Sequence, residues 1–184
     1  MITLALSATV GAPTPRVWRA LVDPAERLVW DERVLGEVSP AAGKRQARAS
    51  KRLHLTSAIP KAAAPPPLRT TRWRFRLGGV PLVMVERILQ AEPGQRIVSK
   101  IVIGSMQFEQ TLTLHPEQDE TGRRTRVGMK LVAQNRVAVI GEVVPRSEVQ
   151  KIVIEYIDST LRQLQKHCEA EASESELKPR AAAR

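Results

Sequence analysis

Cysteine is almost missing from this chain of 184 residues: Cys168 stands alone, so no intramolecular disulfide can form and a cysteine-rich zinc site is excluded. Long apolar runs are missing too. The longest, Val80 to Val85 and Val137 to Val144, fall far short of the roughly 20 residues that span a bilayer. Residues 1–12 lack the basic start and apolar middle of a signal peptide. Aromatic residues contribute only 3% of the sequence. There is no Gly-rich phosphate loop, and Ser7, Ser99 and Ser105 lack a Gly-x-Ser-x-Gly setting. His54, His115 and His167 are widely separated and show no metal-ligand spacing, so each is expected at the surface and no metal or cofactor is expected. Cys168 has no base beside it in sequence, which argues against a nucleophile. Acids are fewer than bases, 19 against 29, leaving a formal charge of +10 that makes acidic partners worth testing. These exclusions leave a single cytoplasmic domain with an ordinary core.

What is present is organised by period. Met1 to Val10 reads as a strand. Thr14 and Pro15 read as an N-cap and first helical residue, and Asp23-Pro24 repeats the signal, which predicts two short helices ending near Val22 and Trp30. Arg33 to Ser39 is a further strand candidate. Residues 40–68 then break the pattern: they carry Lys44, Arg45, Arg48, Lys51, Arg52 and Lys61, no acid, and the run Ala62 to Pro67. That composition predicts a basic, mobile insertion, with a strand-like stretch possible only at 52–57.

From Arg69 onward the chain reads as strand after strand. Trp73, Phe75 and Leu77 alternate with Arg72, Arg74 and Arg76, giving one apolar and one cationic face. Strands follow at 80–91, 97–103, 106–114 and 125–133. Neighbours in sequence are joined by short turns such as Gly78-Gly79, so an antiparallel meander is expected. From Glu148, apolar residues recur every three or four positions through Cys168, which predicts one long amphipathic helix. Residues 169–184 read as a polar, disordered tail. Val137 to Pro145 reads equally as a gate hinged at Gly141 or as a short buried helix start.

Several motifs carry a resemblance. "APTPRVWRALVDPAERLVWDERV" (12–34) has a Pro-led helix, Val-Trp, Leu-x-Asp-Pro and a second Trp; "LQAEPGQRI" (89–97) has a Glu-Pro hairpin; "TLTLHPEQDETGRRTRV" (111–127) has a Gly-containing polar turn between Thr-rich strands. Together with the element order, they resemble the SRPBCC superfamily of START-related and polyketide cyclase/dehydrase-like proteins. The resemblance covers residues 1–168, apart from the basic insertion. It implies an α+β helix-grip fold: a curved antiparallel sheet of about six or seven strands, two short helices and a long C-terminal helix across the sheet. It also implies a cavity for a hydrophobic small molecule, carried or chemically altered, but no shared catalytic residue.

Strand parity places candidate wall residues on one face. They are Trp73 and Phe75, then Ser99 and Ile101, then Phe108, Gln110 and Leu112, then Met129, with Ile152 and Tyr156 facing them from the helix. On composition alone these positions read as a solid core; the resemblance turns them into a ligand-binding lining. Tyr156, Gln110 and Ser99 are the polar members able to orient a ligand. Strand 80–91 admits two registers, one turning Glu86 inward and the other Arg87. A charged side chain there is expected to reach solvent, whereas an inward Glu86 would suit a cyclase or dehydratase. Arg72, Arg74 and Arg76, joined by Lys100, Lys130 and the basic insertion, form a surface suited to an anionic membrane. No aromatics interleave with these charges, which makes nucleic acid an unlikely partner.

Overall fold

Thr71, Trp73 and Phe75 are buried while Arg72, Arg74 and Arg76 are exposed, so the two-residue period of this strand separates an interior face from a solvent face. The same alternation recurs through the sheet. The computed structural model describes residues 2–38, 68–77, 79–104, 106–117, 124–133, 137–139, 142–144 and 146–181. The basic insertion, including its strand-like stretch, lies outside the described residues apart from Leu68.

The elements run β1 (Ile2–Val10), α1 (Thr14–Val22), α2 (Pro24–Trp30), β2 (Val34–Glu37), β3 (Arg69–Leu77), β4 (Val80–Glu92), β5 (Arg96–Ile103), β6 (Met106–Glu117), β7 (Arg124–Ala133), β8 (Val137–Val139), β9 (Glu142–Val144) and α3 (Arg146–Ala181). β1 to β7 form one curved antiparallel sheet in the order β1-β7-β6-β5-β4-β3-β2. The meander read from the sequence is β3 to β7; β2 extends it beside β3, and β1 pairs with β7 at the other edge. The turn Glu92–Gln95 is fixed by the Gln95 amide donating to the Glu92 carbonyl at 3.0 Å. Gly94 takes φ 71° there, the left-handed position a Pro-Gly turn requires.

α3 lies against the inner face. Val149, Val153, Tyr156, Ile157, Leu161, Leu164 and Cys168 are all buried, at the spacing of one helical stripe. Trp73, Phe75, Met84, Ile101, Met129 and Leu131 supply large buried side chains from the sheet. The helix-grip α+β architecture follows from this pairing, because an antiparallel sheet with one apolar face needs a cover.

Four expectations change. α3 continues to Ala181 instead of giving way to a tail at 169. Glu, Ala, Leu and Lys favour helix there, and Glu169 accepts from the Gly11 amide at 2.9 Å, tying this turn to the chain after β1. Of the two readings of the stretch before α3, the helix start is set aside: Val137–Val139 and Glu142–Val144 pair as antiparallel strands, β8 with β9, and β-branched valines favour the extended form. Thr14 is the first residue of α1 and Pro13 its N-cap. Its hydroxyl instead pairs with that of Thr125 at 3.0 Å, and Thr125 donates to the Ala12 carbonyl at 2.8 Å. His167 is not at a helix end or freely exposed: it packs among α1 and α2, where Glu26 Oε2 lies 3.3 Å and Arg16 Nη2 2.8 Å from its Nε2. Asp23 does cap α2, accepting from the Ala25 amide at 2.8 Å.

Candidate functional site

The inner sheet face and α3 meet around a small apolar void. Leu77, Ile103, Met106, Phe108, Leu131, Ile152, Val153 and Tyr156 line it, and its volume is about 10 Å³. That is room for about one water, so this void as it stands is too small for a ligand. Leu77 and Tyr156 also border a surface cleft of about 310 Å³, shared with Glu32, Arg33, Arg76, Gly79, Glu155, Ser159 and Gln163. Cleft and void thus share two lining residues.

Of the residues expected to line a ligand site, Trp73, Phe75, Ser99, Ile101, Phe108, Gln110, Leu112, Met129 and Tyr156 are buried and Ile152 is half-buried. Phe108, Ile152 and Tyr156 touch the void; the other seven are not among its lining residues. The inner wall is therefore mostly packed against itself.

The polar part of the interior is a chain of ion pairs. Glu86 points inward and is only 7% exposed, as is Arg27, which corrects the expectation that the charged residue of β4 reaches solvent. Leu82, Met84, Glu86 and Ile88 share the inward parity, and the register shifts between Ile88 and Gln90. Arg27 Nη1 donates to both carboxylate oxygens of Glu86, at 3.0 and 2.9 Å, and Trp73 Nε1 donates to Oε2 at 3.3 Å. Arg27 sits over the rings of Trp30 and Trp73 at 5.9 Å from each centroid. Asp31, fully buried, lies 3.6 Å from Arg27 Nη2 and accepts from Arg33 Nε at 2.8 Å. Arg33 then reaches α3, donating to the Tyr156 carbonyl at 3.2 Å and to Thr160 Oγ1 at 2.7 Å, with its guanidinium 4.6 Å from the Tyr156 ring centroid.

This network carries two cations and two anions, running Glu86–Arg27–Asp31–Arg33 from β4 through α2 to α3. Burial works against the Arg27 charge, yet the charges of Glu86, Tyr156 and Asp31 and the Glu86 hydrogen bond raise its pKa overall. Burial also raises the Tyr156 phenol; Arg27 and Arg33 oppose that rise, and Asp31 and Glu86 add to it. Three neutral groups in the interior lack any hydrogen-bond partner: Ser99 Oγ, Gln110 Oε1 and the Tyr156 hydroxyl.

Sequence reasoning missed Arg27, Asp31 and Arg33. The i, i+4 spacing of Arg27 and Asp31 around Trp30 was the available signal. His115 is exposed and Cys168 is buried, while His54 lies outside the described residues. Among the described residues no three His, Cys, Asp or Glu side chains are grouped to hold a metal ion. No described helix is long and apolar enough to cross a membrane.

No curated protein matches the sequence. Among solved structures, a START superfamily protein from Mycobacterium smegmatis superposes with TM-score 0.65 at 14% identity, covering 91% of this chain and 97% of that one. The ZhuI aromatase/cyclase from Streptomyces sp. R1128 superposes with TM-score 0.68 at 14% identity, covering 93% and 95%. A conserved protein from Geobacillus kaustophilus gives 0.59 at 13% identity over 92% and 96%. At these identities the likeness shows the fold. The sequence profile described as polyketide cyclase / dehydrase and lipid transport matches residues 1–169. With nearly the whole chain matched, from β1 into α3, this protein belongs to the polyketide cyclase / dehydrase and lipid transport family.

Proposed function

We propose that the chain binds a hydrophobic small molecule between the sheet and α3, in an interior that opens when the ligand enters. The observation that carries this reading is that void and cleft share two lining residues, Leu77 and Tyr156. Displacing Leu77 joins the cleft to the apolar interior. Ligand surface that leaves water there gains about 25 cal/mol per Å². Binding is favoured over a cyclase or dehydratase reaction because both oxygens of Glu86 already accept hydrogen bonds, from Arg27 and Trp73. A general acid needs a proton aimed at substrate. The single cysteine fits a cytoplasmic, reducing setting.

Uptake of N-phenyl-1-naphthylamine, a neutral probe that fluoresces in apolar surroundings, tests this reading. Saturable uptake by the native chain, lost in Leu77→Trp at unchanged thermal stability, is the expected result. Equal uptake by both proteins would move the binding site elsewhere.

A second reading concerns the outer sheet face. Arg72, Arg74, Arg76 and Arg87 are exposed beside Val83 and Leu89, themselves half or nearly half exposed. These arginines support docking to an anionic lipid surface, where each nearby charge contributes about 1 kcal/mol. Flotation with phosphatidylserine vesicles tests it: binding should weaken in Arg72→Ser/Arg74→Ser/Arg76→Ser and disappear on phosphatidylcholine.

A further inference from the structure

The two edges of the sheet are protected unequally. β2 is four residues long, its register breaks between Val34 and Gly36, and it carries Glu37. Each of these features blunts an edge. β1, at the opposite edge, has none of them. It runs nine residues, ITLALSATV, without a charge or a proline, and its pairing with β7 is regular from Ile2 to Val10. Among the described residues no strand pairs with its outer side. Its middle is open on both faces: Ala5, Leu6 and Ser7 are all exposed. Leu6 is 42% exposed although it shares the inward parity of Ile2 and Val10, which are buried.

We propose that β1 is a self-association edge, which pairs antiparallel with β1 of a second copy of this chain to make one continuous sheet. Charge and pattern both select that occupant. The chain carries a formal +10, so two copies repel wherever their basic surfaces meet. The β1 strip is free of charge, and two copies can meet along it without setting like charges opposite each other. Its pattern is also self-complementary about Leu6, the central residue. With Leu6 opposite Leu6 on the inner face, Ala5 falls opposite Ser7 and Thr3 opposite Thr9 on the outer face. Thr9 Oγ1 donates to Glu117 Oε1 at 3.2 Å, which leaves its lone pairs to accept from the Thr3 hydroxyl of the other copy. A slip of one residue would set Leu6 against Ser7 and break both matches. A two-fold axis at Leu6 closes the assembly at two copies. The cleft beside Leu77 belongs to the β3 side of the sheet, so this pairing and the ligand-binding reading do not depend on each other.

Sedimentation equilibrium of the full chain tests this from about 1 μM to about 1 mM, the range in which a small interface associates. The native chain should pass from monomer to dimer, and added salt should strengthen the dimer by screening the repulsion between copies. Leu6→Lys should stay monomeric throughout, with the melting temperature of the native monomer. Leu89→Lys, on β4 and also 42% exposed in the native chain, should dimerise as the native chain does. Mild oxidation reads the register. Leu6→Cys should crosslink into a covalent dimer, whereas Thr3→Cys, whose two copies lie about 20 Å apart in this pairing, should not. A native chain that is monomeric over the whole range overturns the inference. So does a dimer that persists in Leu6→Lys, one that is lost in Leu89→Lys, or a crosslink that Thr3→Cys forms as readily as Leu6→Cys.

Discussion

Arg27 on α2 and Glu86 on β4 are 59 positions apart in the chain, and one guanidinium nitrogen donates to both oxygens of the carboxylate within 3.0 Å, in the interior of the fold. The pair anchors α2 to the sheet. Since Asp31 and Arg33 extend it to α3, the sheet, α2 and α3 are tied by one polar chain. An apolar core alone would leave the short helix α2, seven residues long, with little to fix its position.

Removing one partner of this pair should be far worse than removing both. Glu86→Gln leaves a buried guanidinium without its counter-charge and should cost about 3–5 kcal/mol in urea unfolding. The double change Arg27→Met/Glu86→Leu should recover most of that loss. Equal destabilisation by the single and double variants would show that the ion pair itself, and not the orphaned charge, dominates.

Arg33→Lys tests the clamp on α3. A lysine keeps the charge but lacks the planar fork that bonds Asp31, the Tyr156 carbonyl and Thr160 together. Loss of two of these three contacts should destabilise the fold by about 1–3 kcal/mol, with faster amide exchange around Tyr156 and Thr160. Unchanged exchange there would contradict the clamp.

How much of this was legible in the sequence depends on the range over which the cause acts. Trp73, Phe75 and the arginines between them announce their faces by a two-residue period, and the α3 stripe by a three-to-four repeat, because both are local geometries. The direction of Glu86 is not local. Two registers of β4 were open, and the choice follows from a cation on α2 that no spacing rule connects to it. The β8–β9 hairpin looked apolar enough for a helix, and only pairing distinguishes the two. The wall residues were identified largely correctly as buried, but burial does not separate a packed core from a ligand pocket. Only Phe108, Ile152 and Tyr156 border the void.

Acid should loosen the contact between the helices. Burial alone would raise the Glu26 carboxyl, but its hydrogen bonds with Arg16 and His167 and the Arg16 charge, with Arg19 adding, hold it below its usual value of 4.5. Arg16 and Arg19 on α1 are the cations facing it, with the His167 ring of α3 beside them. A depressed carboxyl pKa means that the unfolded chain binds the proton first, so this stability is complete above 4.5 and is lost as pH falls through the lower folded value. The urea midpoint of the native chain should fall over that range more steeply than that of Glu26→Gln. Parallel curves would assign the acid sensitivity to other carboxylates.

Tyr156 is the only tyrosine, so absorbance near the phenolate band reports it alone. Burial raises its pKa in the folded state. Stability from the neutral phenol is therefore present below the ordinary pKa of about 10 and lost as pH rises toward the folded value. Ionisation should lag behind that of a free tyrosine, then appear together with unfolding. A normal titration curve in the folded protein would place the hydroxyl in contact with solvent.

Whether the space between the sheet and α3 opens for an apolar guest decides between a binding domain and a solid core. Native mass spectrometry of freshly purified protein, followed by solvent extraction and a challenge with neutral polycyclic and lipid compounds, tests this most directly. A one-to-one complex with an apolar small molecule is the predicted result. A protein that is empty as isolated and stays empty through the challenge would contradict it, and would make the sheet and α3 a solid core.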